Sequence, residues 1–124
     1  MNFLDPQLEE YVLAHTQEEI PVLKELNRET YAKVMTPRML AGCLQGRVLS
    51  MLSNMIRPRQ ILEIGTYTGY SAICLSEGLR EGGKIHTVDN NEELKEMVNR
   101  YLEEAGITEK VNLYTGMRWI SFLQ

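Results

Sequence analysis

The 124-residue sequence has few cysteines, few histidines and no long apolar run. Cys43 and Cys74 stand alone, with no C-x-x-C pair, so neither a zinc pattern nor a redox dithiol is present. Both are expected as reduced, partly buried thiols, which suits a cytoplasmic protein. His15 and His86 are not at metal spacing; His86 falls within an apolar run and is expected half-buried and satisfied. No stretch approaches the ~18 apolar residues a membrane-spanning helix needs. The first residues, Met1-Asn2-Phe3-Leu4-Asp5, lack a basic region followed by an apolar one, so no signal peptide is expected. The formal charge of −4 excludes a strongly basic nucleic-acid grip, though not a local basic patch.

What is present centres on residues 60–71, QILEIGTYTGYS. A short apolar run ends in Glu63-Ile64, turns at Gly65, and gives way to a helical pattern at Tyr70. That is a strand, a loop and a helix, and such a loop can wrap a ligand at the unpaired N–H groups of a helix start. Gly65 suits a sharp turn and close backbone approach. Gly69 suits tight packing of the helix on the strand.

Two absences narrow the ligand. A dinucleotide fingerprint, G-x-G-x-x-G, would have a glycine where Tyr67 stands. A phosphate-cradling P-loop would end in Gly-Lys-Ser/Thr, and this loop has no lysine. The loop therefore fits a nucleoside-like ligand without phosphates. Glu63 fits an ammonium group better than an anion. About twenty residues on, Lys84-Ile85-His86-Thr87-Val88-Asp89 reads as a second strand ending in an acid that can accept from ribose hydroxyls.

The remaining chain supplies helices and a third strand. Asp5-Pro6 starts a helix over 5–15, with Leu8, Tyr11 and Val12 on one face. Thr16 and Glu19 form a capping-box pattern for a second helix, whose stripe is Val22, Leu23, Leu26 and Tyr31. Thr36-Pro37 breaks the chain. A third helix, roughly 42–56, carries Leu44, Val48, Met51, Leu52 and Met55 at helical spacing, the methionines read as core filler. Gln60–Ile64 is apolar enough to predict a strand buried on both faces. The helix after the glycine loop is expected over 70–79, with Ile73, Leu75 and Leu79 inward. Asn90 and Glu93 are spaced as another capping box. Leu94, Met97, Val98, Tyr101 and Leu102 then mark an amphipathic helix that Ala105-Gly106 ends. The third strand is Val111–Thr115, followed by Gly116.

This β-α-β-α-β order places three parallel strands in the order 3-2-1 through right-handed crossovers. Ligands bind such sheets beyond the carboxyl ends of the strands. Glu63, Gly65, Asp89 and Gly116 all fall at that edge.

The motif E-x-G-x-x-x-G-x-S, followed by a strand ending in Asp89, resembles the class I S-adenosylmethionine-dependent methyltransferases. Within them it is most similar to the catechol and caffeoyl-CoA O-methyltransferase family, over about residues 20–116. The resemblance implies an α/β, Rossmann-like fold: an N-terminal helical cap over 1–58 and a cofactor-binding half over 59–116, in one domain. It implies S-adenosyl-L-methionine as cofactor and methyl transfer to a hydroxyl of a small, catechol-like acceptor. The implied cofactor residues are Met39, Ala41, Glu63, Gly65, Thr66, Tyr67, Gly69, Ser71, Asp89, Asn90, Gly116 and Met117. Met39 and Ala41 follow from Met39-Leu40-Ala41-Gly42-Cys43-Leu44-Gln45-Gly46, in register with the family's M-x-V-x-x-x-Q-G. Ala41 replaces the usual valine. Met117 stands where a short residue meets the adenine region.

The family's Mg²⁺ ligands, an Asp after the fourth strand and an Asp-Asn pair after the fifth, have no counterpart in this sequence, and no catalytic residue is assigned. Residues 117–124 leave the family pattern and are read as a tail at a truncation. A homodimer is expected, with no membrane association. Two alternatives stand beside this reading. One is a tRNA 5-hydroxyuridine methyltransferase; the other is a non-catalytic half-Rossmann module that binds the cofactor or a protein.

Overall fold

The computed structural model describes residues 4–116. Helices α1 (Pro6–Ala14), α2 (Pro21–Lys33) and α3 (Gly42–Ile56) precede strand β1 (Gln60–Ile64). Helix α4 (Tyr70–Ser76), strand β2 (Lys84–Asp89), helix α5 (Lys95–Glu104) and strand β3 (Val111–Thr115) follow. The strands are parallel in the spatial order β1-β2-β3, as the crossovers require.

One face of the sheet carries the core. Ile61, Ile85, Val111 and Leu113 pack there against Leu23 and Leu26 of α2, Ile73 and Cys74 of α4, and Val98, Tyr101 and Leu102 of α5. The other face holds no helix among the described residues. β1 consequently alternates between exposed and half-buried positions, with Ile64 85% exposed. The reading of a strand buried on both faces is thus corrected: one face of β1 is open, while its place at the sheet edge is as the 3-2-1 order expects. His86 is half-buried on that face, between Tyr114 and Gln60.

Helix α3 reverses the face expected of it. Val48, Met51, Leu52 and Met55 are exposed, while Gly46, Ser50 and Ser53 are buried. The reason is the close contact between α3 and α4. A Cβ at Gly46 would lie 2.7 Å from the Tyr70 ring and 2.8 Å from Cys74 Sγ, and one at Gly78 would lie 2.1 Å from the Ser53 carbonyl carbon. Only small residues allow that approach, so they take the buried side. Ser53 donates to the Leu75 carbonyl, and Arg47 and Ser50 both bond Glu77 across the seam. The expected helix over 70–79 ends at Ser76, and Gly78 docks beside α3.

Other local expectations are corrected. α1 begins as expected, with Asp5 accepting from the Gln7 N–H, but buries no residue. Thr16 caps nothing: its hydroxyl bonds back to the Val12 carbonyl, and α2 starts at Pro21 without a side-chain cap. Tyr31 is 59% exposed, and Thr30 takes its place inside. The Asn90–Glu93 box is replaced by two tight turns, Asn91 N–H to Asp89 and Glu93 N–H to Asn91, and α5 begins at Lys95. The inward face of α5 is as expected. Cys43 and Cys74 are free thiols, half-buried and buried, and burial pushes the Cys74 thiol up to about 11.

Candidate cofactor pocket

The pocket is built at the carboxyl end of β1. After Ile64 the chain turns at Gly65 (φ 98°), where a Cβ would meet nothing within 4 Å. The glycine serves the turn and leaves open space in front of it. The Gly65 and Thr66 N–H groups bond the Val88 carbonyl, fastening the loop to β2. Gly69 (φ 90°) supplies the left-handed residue before α4. A Cβ there would meet Val98 of α5 at 3.4 Å, an ordinary contact, so the glycine serves the left-handed turn rather than tight packing on the strand.

Facing the loop is the segment 39–41 with the first turns of α3. Together they enclose a cavity of 280 Å³. Met39, Ala41, Glu63, Gly65, Thr66, Tyr67 and Ser71 line it, along with Leu40, Gln45, Leu49, Ile64, Thr68, Tyr70 and Leu75. Asp89 stands behind the Tyr67 backbone: its Oδ2 accepts the Tyr67 N–H at 2.7 Å and its Oδ1 accepts the Asn91 N–H at 2.9 Å. A carboxylate offers about four lone-pair sites, so each oxygen keeps acceptor capacity. Gly69, Asp89, Asn90 and Gly116 do not line the cavity. Asn90 is exposed, and a Cβ at Gly116 (φ 66°) would meet Glu92 Oε1 at 2.7 Å. Met117 lies outside the described residues.

Glu63 is the site's half-buried acid. Ser71 Oγ donates to its Oε1 and Thr87 Oγ1 to its Oε2, both at 2.5 Å. Since the Thr87 proton goes to Glu63, the 2.7 Å contact between Thr66 and Thr87 must be donated by Thr66. Burial pushes the Glu63 carboxyl above its usual range and the nearby Asp89 charge adds to this, while the Ser71 and Thr87 hydrogen bonds oppose it. Thr87 was not singled out from sequence. Its role follows from the register Glu63↔Thr87, which a reading of separate strands does not contain.

Among the described residues no three His, Cys, Asp or Glu side chains gather in a metal-binding cluster. Nor is any helix long and apolar enough to cross a membrane.

A three-stranded parallel sheet with its cavity at the carboxyl edge, a half-buried acid near the end of β1 and a second acid ending β2 is one half of a Rossmann-like fold. The O-methyltransferase family matches residues 13–120, and the chain belongs to that family. Over 94 residues it is 36% identical to caffeoyl-CoA O-methyltransferase 1 of Arabidopsis thaliana, covering 76% of this chain and 36% of the relative. Over 109 residues it is 29% identical to catechol O-methyltransferase domain-containing protein 1 of Mus musculus, covering 88% and 41%. The fold superposes on the Bacillus cereus O-methyltransferase in complex with SAH, with a TM-score of 0.83 and 29% identity. That match covers 95% of this chain and 53% of the other. The chain thus spans about half the length of that structure, and about two fifths of the two curated relatives.

Proposed function

We propose that the cavity binds S-adenosyl-L-methionine and that the protein is an O-methyltransferase acting on a hydroxyl of a small, catechol-like acceptor. The observation that carries this is the placement of Glu63, Ser71 and Asp89 around one loop that has no lysine and has Tyr67 where a pyrophosphate would need a glycine. In this reading the Ser71 hydroxyl gives its proton to Glu63, so its lone pairs accept from the ammonium of the methionine part. The free acceptor sites of Asp89 take the ribose hydroxyls. Met39 and Ala41 close over the ligand from the opposite wall. Bound there, the cofactor supplies an electrophilic methyl group; the protein holds it in line with the acceptor oxygen. The described residues offer no cluster for a divalent metal, so no step is assigned to one.

Relatives named as a caffeoyl-CoA O-methyltransferase and as a catechol O-methyltransferase domain-containing protein support a small acceptor over a tRNA wobble base. We place the protein in the cytoplasm, in keeping with its free thiols. We also propose a homodimer. Val48, Met51, Leu52, Met55 and Ile56 repeat at i, i+3, i+4, i+7 and i+8 and are all exposed, an apolar stripe suited to a second copy.

Thermal unfolding with added ligands tests the cofactor. S-adenosylhomocysteine is expected to raise the midpoint, and ATP and NADH to leave it in place. Equal shifts with ATP would remove the reading of a phosphate-free site.

A further inference from the structure

The loop that replaces a dinucleotide fingerprint does so with a tyrosine, and the tyrosine side chain has a task of its own. Tyr67 Oη donates across the site to the carbonyls of Thr36, at 3.0 Å, and Met35, at 3.2 Å. These carbonyls stand at the entry to the segment that becomes the opposite wall, since Met39, Leu40 and Ala41 line the cavity. One hydroxyl therefore ties the two walls together.

Leu40 and Ala41, at the end of the tied segment, pack against the core, but its first residues have little else to hold them. Met35 is 87% exposed and Met39 68% exposed, and no residue of the short turn Pro37–Met39 is buried. Thr36 sits in the left-handed region (φ 55°, ψ 52°) directly before Pro37, where a residue favours extended backbone. Tyr67 is itself left-handed (φ 50°). Both are non-glycine residues in a conformation that persists only where the surroundings over-determine it. The Met39 and Leu40 N–H groups close the turn on the Thr36 and Pro37 carbonyls, but those bonds are internal to the segment. The bond from Tyr67 is the one that joins it to the glycine loop. Burial and the neighbouring Tyr31 raise the Tyr67 phenol, which keeps it a donor at neutral pH.

We propose that Tyr67 is a positioning residue whose hydroxyl latches the 35–41 segment over the cofactor cavity, setting how firmly a nucleoside ligand is retained. The ligand part rests on the cofactor reading above; the latch itself does not.

Limited trypsin digestion of Tyr67→Phe separates the two. Arg38 is exposed within the latched turn, and Arg80, exposed in a distant turn, serves as the internal control. Without ligand, cleavage after Arg38 is expected to speed up roughly threefold to tenfold, the worth of one neutral hydrogen bond, while cleavage after Arg80 stays put. The variant is then expected to release S-adenosylhomocysteine faster by a similar factor. Unchanged cleavage after Arg38, or equal acceleration at both sites, overturns the latch. If neither protein binds the ligand, the cofactor reading fails and the digestion still decides the latch.

Discussion

Thr87 lies beside Glu63 in the parallel register of β1 and β2 and donates its hydroxyl to Glu63 Oε2 at 2.5 Å. The bond joins the two strands at the level of the cavity and gives a half-buried carboxylate a donor. Thr87→Val keeps the shape and removes that donor, and leaves the Thr66 hydroxyl without its acceptor. A loss of about 1–3 kcal/mol in urea unfolding is expected. Thr87→Ser, which keeps the hydroxyl, should lose less. A larger loss for Thr87→Ser than for Thr87→Val would mean that the methyl group, not the hydrogen bond, matters.

The seam between α3 and α4 predicts intolerance of a single methyl. In Gly78→Ala the new Cβ would meet the Ser53 backbone, which cannot swing aside as a side chain can. Destabilisation of about 2 kcal/mol or more is expected. Chemical denaturation within about 0.5 kcal/mol of wild type would show that the helices are free to move apart.

This seam also marks where sequence reading stops. The strand limits were legible, because Pro58 and Gly65 bound one apolar run and Gly83 and Asn90 bound another. The inward face of α5 was legible too, since Val98, Tyr101 and Leu102 recur at helical spacing. The face of α3 was not. Periodicity points to Met51 and Met55, whereas burial follows Gly46, Ser50 and Ser53 because backbone approach outweighs side-chain hydrophobicity there. The site was legible where it is local, from Glu63 to Ser71. It was not legible where it depends on pairing, as for Thr87, or on a contact 31 residues away, as for Tyr67 and Thr36.

Glu29 predicts an acid-sensitive link between α2 and α5. Hydrogen bonds from Arg100 and Tyr101, with a smaller one from Lys33, pull its carboxyl down to about 2 from the ordinary 4.5. Between those values the unfolded chain binds a proton that the folded chain does not. Stability is therefore fully present above about pH 4.5 and lost as pH falls toward 2. In Glu29→Gln that part of the acid limb should flatten when unfolding free energy is followed against pH. An unchanged slope would contradict the assignment.

The exposed stripe on α3 predicts self-association. Met55 is 73% exposed near its C-terminal end, and Met55→Lys places a charge in the apolar contact of both copies. Sedimentation equilibrium should show a dimer for wild type and a shift toward monomer for the variant. A wild-type monomer at tens of micromolar would remove the dimer proposal.

The central claim, that this cavity is an S-adenosyl site, is tested most directly by calorimetric titration with S-adenosylhomocysteine. Wild type is expected to bind with micromolar affinity, about −8 kcal/mol. Asp89→Ala, folded by circular dichroism, should lose most of that heat, because it removes the carboxylate proposed to hold the ribose. No binding by a folded wild-type chain, or undiminished binding by the variant, would contradict the account.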